Sequence, residues 1–171
     1  MYVQAIESVI AGIQVEIDQV EQLLRKKNRE MRDILGENGL ADPGETTLHL
    51  TEETEASVFE TNLCNLRATQ QFLSLLLSTK QAATHQAVGI GTIVGLRYPD
   101  GQSRRFLVVP CGVNKEFTTP LGPILLISDE ASLAQALMSK KGCQVGAKVR
   151  VNDHLSVTIE QIMWNNPSTQ D

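Results

Sequence analysis

The chain has 171 residues and a net charge of −5, which leaves room for one ordinary domain or two small ones. The negative net charge argues against a protein whose role is to bind duplex DNA, because such proteins present a basic surface. No apolar run is long enough to span a bilayer, and Glu7 and Glu16 interrupt the apolar residues of the N-terminus. We therefore expect a cytoplasmic protein with neither a signal peptide nor a membrane-spanning segment.

A heptad pattern dominates the first 35 residues. Apolar residues recur at alternating spacings of three and four, which is the pattern of a coiled-coil helix, and Lys27 is its one polar interruption. We call these positions the first seam: Val3, Ile6, Ile10, Ile13, Ile17, Val20, Leu24, Lys27, Met31 and Ile34. Gly36 and Gly39 are typical stop signals, so the pattern predicts one long amphipathic helix that ends near them.

The same spacing returns in a second seam, after a polar stretch. Its positions are Ala56, Phe59, Leu63, Leu66, Gln70, Leu73 and Leu77. Thr51 is expected to cap this helix, with Glu52 and Glu53 in the first turn. Two seams of similar length predict an antiparallel coiled-coil hairpin over residues 1–82, with its tip at about residues 36–51.

Each arm of such a hairpin would be roughly 45–50 Å long at the helical rise per residue. A two-helix rod of that length is too thin to bury a full core, so we expect a structure whose role depends on its reach. The narrow seams leave an alternative open, in which the helices pair with those of a second copy of the chain.

Two carboxylates stand at the expected tip, Asp42 and Glu45, in the sequence Asp-Pro-Gly-Glu. Acids at this spacing on a turn can share a divalent cation, because hard cations prefer oxygen ligands. Two ligands cannot hold Mg²⁺ tightly, so another protein or a phosphate would have to complete the site. The same residues also suit a helix start, with Asp42 as N-cap, Pro43 at the first helical position and Glu45 closing a capping box. The local sequence leaves both interpretations open.

Basic residues gather just before the tip. Five of the eight residues from position 25 to position 32 carry positive charge, and we call them the basic collar: Arg25, Lys26, Lys27, Arg29 and Arg32. Charge runs of this kind are commonly a solvated helix face. The alternative is a surface that attracts the phosphates of a single nucleic-acid strand or an acidic channel wall.

From residue 88 to about residue 165 the hydrophobic period changes to two. Strands are predicted at 93–98, 105–109, 124–127, 148–151 and 155–159, with a hairpin turn at 99–102. A short helix is predicted at 130–138, with Ser128 or Asp129 as its cap. The order of elements indicates a small antiparallel α+β module, followed by a tail at 166–171.

Nothing in the sequence predicts an active site that this module could form alone. The histidines lack a metal-ligand spacing, and no serine lies in a nucleophile-elbow context. The three cysteines, Cys64, Cys111 and Cys143, follow neither a metal nor a disulfide spacing, which favours isolated buried thiols. We expect no cofactor of the protein's own.

One stretch of the module resembles the bacterial GreA/GreB transcript-cleavage factors. It is ISDEASLAQALMSK at 127–140, followed by Val145-Gly146 and KVRV at 148–151. The family pattern is Ile-Ser, then Ser-Pro, Ala-Arg-Ala-Leu, a lysine, a Gly-Asp turn and a final strand pair. The predicted hairpin and the module behind it are also similar to the family's architecture over the whole chain.

The resemblance implies an FKBP-like fold for the module, which docks on RNA polymerase near the rim of its secondary channel through Ser128, Leu133 and Leu137. It implies that Asp42 and Glu45 enter the polymerase active site and help to hold its second Mg²⁺. It also implies that the basic collar faces the extruded RNA 3′ end. The protein would then be an accessory factor and not an enzyme, with RNA polymerase core and nascent RNA as partners and no membrane or duplex-DNA specificity.

Two other functions remain open. The family's Asn-x-x-Tyr after the acidic pair is Thr46-Thr47-Leu48-His49 here, and its Ala-Arg-Ala-Leu has Gln135 in place of arginine. A regulator or inhibitor that occupies the secondary channel without stimulating cleavage would have a similar sequence. An FKBP-like module also suggests a prolyl isomerase or chaperone, which needs an apolar pocket rich in aromatic residues. The module offers only Tyr98, Phe106, Phe117 and Trp164 for this purpose.

Overall fold

The computed structural model describes residues 1–37, 43–79, 88–111, 113–139 and 144–164 of the chain. Two long helices precede a sheet with one short helix, so the predicted α+β fold class is confirmed. The helices are α1 (Tyr2–Glu37), α2 (Pro43–Ser78) and α3 (Ser132–Ser139). The strands are β1 (Ile93–Arg97), β2 (Ser103–Val109), β3 (Glu116–Thr119), β4 (Gly122–Ser128), β5 (Lys148–Arg150) and β6 (Ser156–Met163). The predicted domain boundary after residue 82 and the predicted tail lie outside the described residues.

Helices α1 and α2 form the predicted antiparallel hairpin. The Gln70 side-chain amide donates a hydrogen bond of 2.9 Å to Oε1 of Gln14, and farther along α1 the Lys27 ammonium lies 2.9 Å from the carboxylate of Glu55. A later residue of α1 therefore pairs with an earlier residue of α2, as an antiparallel arrangement requires. The two polar interruptions of the seams, Lys27 and Gln70, each pair across the hairpin, which explains how polar residues are tolerated there.

The helices extend farther toward the tip than the sequence predicts. Helix α1 ends at Glu37 and α2 begins at Pro43, so only residues 38–42, which are outside the described part, separate them. The expected start at Thr51 is wrong, because the polar residues before it already belong to α2. A backbone N–H in the first turn of a helix has no partner within the helix. Proline lacks this N–H, and its fixed φ angle already suits the first helical position. The helix start thus falls where the capping interpretation places it.

The C-terminal strands form one six-stranded sheet in the order β3-β4-β2-β1-β6-β5. Every pair is antiparallel except β2 and β4, which run parallel with Phe106 opposite Leu125. The prediction of a wholly antiparallel module is therefore wrong in this respect. The intervening strand β3 forms a hairpin with β4 and turns the chain, so that β4 runs beside β2 in the same direction. Strand β3 was not predicted, because a strand of four residues with only two buried side chains, Phe117 and Thr119, is too short to show a clear alternation.

Helices pack on both faces of the sheet, so the protein has three layers. On one face Ala134 and Leu137 of α3 pack with residues from four strands: Val94, Leu96, Phe106, Val108, Val149, Val157 and Ile159. The hairpin covers the other face and shares a continuous core with it, which comprises Tyr2, Ala5, Ile6, Val9, Ile13, Ile17, Leu66, Leu73, Ile93, Leu107, Val109, Val113, Phe117, Ile124 and Leu126. Among the described helices, none combines the length and the apolar character that crossing a bilayer requires.

This shared core corrects the expectation of a thin rod without a core of its own. Ala5 and Val9 are fully buried although they lie off the first seam, because the first half of α1 packs between α2 and the sheet. Gly12 faces the Phe117 ring of β3, and Lys115 forms an ion pair with Glu16. The core shared with the sheet ends at Val20 on α1, and about 25 Å of α1 continues beyond it to Glu37.

Tyr2 fastens the N-terminus of α1 to the sheet domain. Its side chain is 8% exposed, and its hydroxyl donates a hydrogen bond of 2.5 Å to the carbonyl oxygen of Gly91. Burial raises the pKa of the Tyr2 phenol above its ordinary value. The neutral phenol is therefore favoured in the folded state more strongly than in the unfolded chain.

We expect Tyr2→Phe to lower the free energy of unfolding by about 1 kcal/mol at neutral pH, through loss of this hydrogen bond. Because the folded-state pKa is raised, the stability that Tyr2 contributes is complete below about pH 10 and is lost as the pH rises further. Urea denaturation of both proteins at several pH values from neutral to alkaline checks this. The two stability curves should converge above about pH 10, and curves that stay parallel throughout would contradict it.

Candidate functional site

The basic collar lies on α1 beyond the core that the hairpin shares with the sheet. Arg25, Arg29 and Arg32 follow one another at spacings of four and three, so they occupy one face of the helix. All three are exposed, Arg25 to 72% of its side chain, and we call them the arginine stripe. Lys26 stands beside the stripe with 75% of its side chain exposed. The structure thus brings four of the five predicted collar residues to one region of exposed helix.

Lys27 is separated from the other four collar residues. It occupies a seam position, its side chain is only 31% exposed, and it forms the ion pair with Glu55 across the hairpin. Its place in the heptad already predicts that it faces α2. Lys27 therefore contributes to helix pairing and is poorly placed to contact a partner of the protein.

Two of the exposed collar residues, Arg25 and Lys26, have weakly held acidic partners. Arg25 lies 3.4 Å from Glu21, and Lys26 lies 3.8 Å from Glu30, in both cases four residues apart on the same helix. Glu21 makes its shorter contact, 2.6 Å, with Arg67 of α2. Exposed pairs of this kind contribute about 0.3–0.5 kcal/mol, so a phosphate group can displace them at little cost. The arginine stripe is available to a polyanion.

Of the two tip acids, the structure describes only the backbone of Glu45. Asp42 lies outside the described residues, and Glu45 belongs to the first turn of α2, with its side chain outside the described part. Whether the two carboxylates converge on one metal stays a prediction from the sequence. Within the described ranges, no group of three or more metal-ligating side chains occurs.

The predicted docking residues lie at and around α3, in unequal environments. The Ser128 hydroxyl accepts a hydrogen bond of 3.2 Å from the backbone N–H of Glu130, and the helix begins only at Ser132. The expected role of Ser128 or Asp129 as helix cap is therefore wrong, because Ser128 stabilises a turn before the helix instead. Leu133 is half-buried, and Leu137 is completely buried in the core beneath α3. Leu137 can affect a surface there only by holding α3 in place.

The aromatic residues of the sheet domain do not gather into one pocket. Phe106 lies in the core on the α3 side, with the Tyr98 ring 6.5 Å away, whereas Phe117 lies in the core on the hairpin side. The prolyl isomerase alternative needs aromatic side chains around a single cavity, and this separation argues against it. The expectation of buried thiols is also wrong for Cys64, which is exposed on α2.

A second group of charged residues, which was not predicted from the sequence, lies on the sheet itself. Four cations from three strands share the sheet face on which the hairpin packs. They are Arg97, Arg105, Lys148 and Arg150. The sequence of strand β5 could have indicated part of this group, because Lys148 and Arg150 alternate with the buried Val149 and so share one face of the strand. The pairing that brings β5 near β1 through β6 joins distant parts of the chain and could not be deduced from local pattern.

No protein-family model matches the sequence, and no curated protein matches it. Solved structures that are similar to it over most of their length include three of Gfh1. The crystal structure of GreA factor homolog 1 (Gfh1) of Thermus thermophilus is 14% identical, with 90% of this chain and 94% of that chain covered and a TM-score of 0.33. A structure of the transcription factor Gfh1 is 17% identical, with 91% and 93% covered and a TM-score of 0.34. The crystal structure of Thermus aquaticus Gfh1 is 17% identical, with 89% and 92% covered and a TM-score of 0.36.

Proposed function

We propose that this protein is a Gre-type transcription factor that binds bacterial RNA polymerase and inserts its hairpin into the secondary channel. There it would stimulate the polymerase to cleave backtracked RNA. The observation that carries the proposal is the arginine stripe on the part of α1 that continues beyond the sheet core. A stripe of cations on a narrow two-helix arm suits a partner that offers phosphates inside a confined passage.

The stripe and the tip acids would have different tasks. Arg25, Arg29 and Arg32 would bind the phosphates of the RNA 3′ end and hold it in position. Asp42 and Glu45 would supply carboxylate oxygens, the ligands that Mg²⁺ prefers, and leave the other coordination positions to the polymerase. Together with the polymerase, these carboxylates would hold a metal whose chemistry would be to activate a water toward the phosphodiester bond. The polymerase would make the cut, and this protein would be an accessory factor.

The second candidate is a secondary-channel regulator that binds polymerase without stimulating cleavage. One observation favours it: α2 begins at Pro43, which places Glu45 in the first helical turn. An acid there can cap the helix and interact favourably with its N-terminal dipole. A Glu45 engaged in capping would leave the hairpin able to enter the channel but deprived of a metal ligand.

Stalled, backtracked elongation complexes of bacterial RNA polymerase test both candidates. Co-purification measures binding, and release of short RNA 3′ fragments measures cleavage. We expect the wild type to bind and to accelerate fragment release, and Asp42→Asn with Glu45→Gln to bind normally without accelerating it. Arg29→Gln with Arg32→Gln should weaken binding about tenfold at moderate salt, through lost phosphate contacts. Arg67→Gln with Arg104→Gln removes the same charge from exposed positions off the stripe and should bind as the wild type does.

The outcomes separate the candidates. Binding by the wild type without fragment release, unchanged by the tip substitutions, would establish the regulator. Equal losses of binding in the stripe variant and in its control would show that only net charge matters, against a specific role for the stripe. A wild type that does not bind polymerase would overturn both candidates.

A further inference from the structure

The hairpin covers only part of the sheet face on which it packs. Ile93 and Leu107 lie in the shared core, but farther along the same strands the side chains become polar. Gly95 pairs with Arg105 on one side and with Gln161 on the other. Because residues two apart on a strand share a face, these positions look toward the hairpin side but lie beyond its cover. We call the uncovered polar region the open sheet face.

The open sheet face continues to the edge strand β5. Lys148 and Arg150 pair with Thr158 and Ser156 of β6, and all four lie opposite the face that packs against α3. Together with Arg97 and Arg105 they place four cations on this face. Among the described residues, the acids that pair with them are Glu160, bound to Arg97, and the exposed Asp153, 2.5 Å from Arg150. A region with two more cations than acids is unusual in a chain whose net charge is −5.

A small notch lies within the open sheet face, where Gly95 has no side chain. It has a volume of about 70 Å³ and is lined by Gly95, Ser103, Arg105, Glu160 and Gln161 among others. The Nε atom of Arg105 is buried and has no hydrogen-bond partner among the described residues. Buried donors are almost always paired, so this one indicates a partner that is still to be supplied.

The guanidinium of Arg105 is held close to the backbone. A Cβ atom placed on Gly122 would lie 3.3 Å from its Nη1, so the glycine allows strand β4 to approach the guanidinium closely. The carboxylate of Glu160 is engaged elsewhere: a hydrogen bond from Ser103 and the nearby Arg97 and Arg105 guanidinium groups hold its pKa below the ordinary range. Glu160 therefore stays ionised and bound near neutral pH, and Arg105 keeps a free donor.

We propose that the open sheet face binds an acidic segment of a protein partner, with one carboxylate seated in the notch against Arg105. A guanidinium offers a planar fork of N–H groups that matches a carboxylate, and such charge-assisted pairs are the stronger hydrogen bonds of proteins. The notch has about the volume of two water molecules, which suits a carboxylate group. Lys148 and the hydroxyls of Ser156 and Thr158 would bind neighbouring acids.

The composition of the face favours an acidic peptide over single-stranded RNA. Proteins that bind single strands stack the bases on aromatic side chains. Among the described residues the open sheet face carries none, since Tyr98 and Phe106 pack on the opposite side. This inference does not depend on the proposed function, because the face is separate from the arginine stripe and from the tip.

Fluorescence anisotropy of a labelled peptide of alternating aspartate and glutamate residues, titrated with the full chain, tests the proposal. We expect Arg105→Gln to weaken binding about tenfold or more, as loss of a charge-assisted hydrogen bond predicts. Arg105→Lys keeps the charge but not the fork and should recover only part of the affinity. Arg67→Gln is the matched control, because it removes the same charge from an exposed residue of α2 that does not line the notch. Arg29→Gln tests the stripe, and both controls should change the affinity by less than about twofold.

A second measurement keeps the test valid if an Arg105 variant is unstable. In wild-type protein, the peptide should shift the backbone amide resonances of Gly95, Ser103 and Gly122 in a ¹H–¹⁵N spectrum, and leave those around Arg29 unchanged. Equal losses in Arg67→Gln and Arg105→Gln, or shifts confined to the stripe, would overturn the proposal. Tighter binding of an oligouridine to the same amides would replace the acidic peptide with RNA.

Discussion

Gly12→Val is expected to lower the free energy of unfolding by about 2 kcal/mol, because the helix has no space for a side chain at this position. An ideal Cβ atom on Gly12 would lie 2.5 Å from Cδ1 of Phe117 and 3.1 Å from its Cε1. The Phe117 ring is buried in the core that the hairpin shares with the sheet, so it cannot turn away into solvent. Either α1 moves off β3 or the ring leaves its preferred rotamer, and both cost packing energy. Urea denaturation measures the loss.

The neighbouring residue supplies the control. Ala11 is exposed, and Ala11→Val should cost no more than about 0.6 kcal/mol, the difference in helix propensity. A smaller side chain opposite should relieve the strain, so Gly12→Val should cost less when Phe117→Leu is already present. This non-additivity in a double-mutant cycle distinguishes a direct collision from a general effect on the helix. Similar losses for Gly12→Val and Ala11→Val would show that the contact with β3 is unimportant.

Ile13→Ala is expected to destabilise the hairpin and the sheet together, by about 2–5 kcal/mol. Ile13 is completely buried in the shared core, where it belongs to the same cluster as Leu73 of α2 and Leu107 of the sheet. A single continuous core predicts a single cooperative unfolding transition. Circular dichroism at the helical band follows mainly α1 and α2, and the fluorescence of Trp164, the sole tryptophan, follows the end of β6. Both signals should shift to lower denaturant by the same amount.

Val15→Ala provides the comparison for this experiment. Val15 lies two residues away on α1 and is 54% exposed, so its truncation should change stability by no more than about 0.5 kcal/mol. A helical signal that shifts in Ile13→Ala while the Trp164 signal stays in place would mean that the two parts unfold separately. That result would contradict the shared core as an energetic unit.

Much of the hairpin follows from the sequence. The heptad spacing predicts both helices and their antiparallel pairing, and it also places Lys27 toward α2, where the structure has it. The packing of α1 on the sheet was missed, although Tyr2, Ala5 and Val9 widen the apolar stripe beyond a narrow seam and could have indicated a second contact surface. The close approach of Gly12 to Phe117 joins residues far apart in the chain, and no local pattern predicts it.

The sheet and the candidate sites were partly predictable. Alternating apolar residues predict strands β1, β2, β4, β5 and β6 close to their observed bounds, whereas β3 is too short to give a clear period. The parallel pairing of β2 with β4 depends on a contact between segments that are not adjacent in sequence. Composition alone predicts the basic collar, but its division into an exposed stripe and a half-buried Lys27 that pairs across the hairpin needs the helix geometry. The roles of Asp42 and Glu45 stay predictions.

Helix α1 contacts the sheet with its first half and carries the arginine stripe farther along. Because the helix is continuous, the distance between the sheet contact and the stripe is fixed. Each residue added or removed between Val20 and Arg25 would change that distance by about 1.5 Å and rotate the stripe by about 100° around the helix axis. A change of one residue would therefore turn the arginines toward α2 or away from their present side. Steps of a whole heptad, about 10 Å, preserve the direction that the stripe faces to within about 20°. The reach of this hairpin can thus vary only in discrete increments.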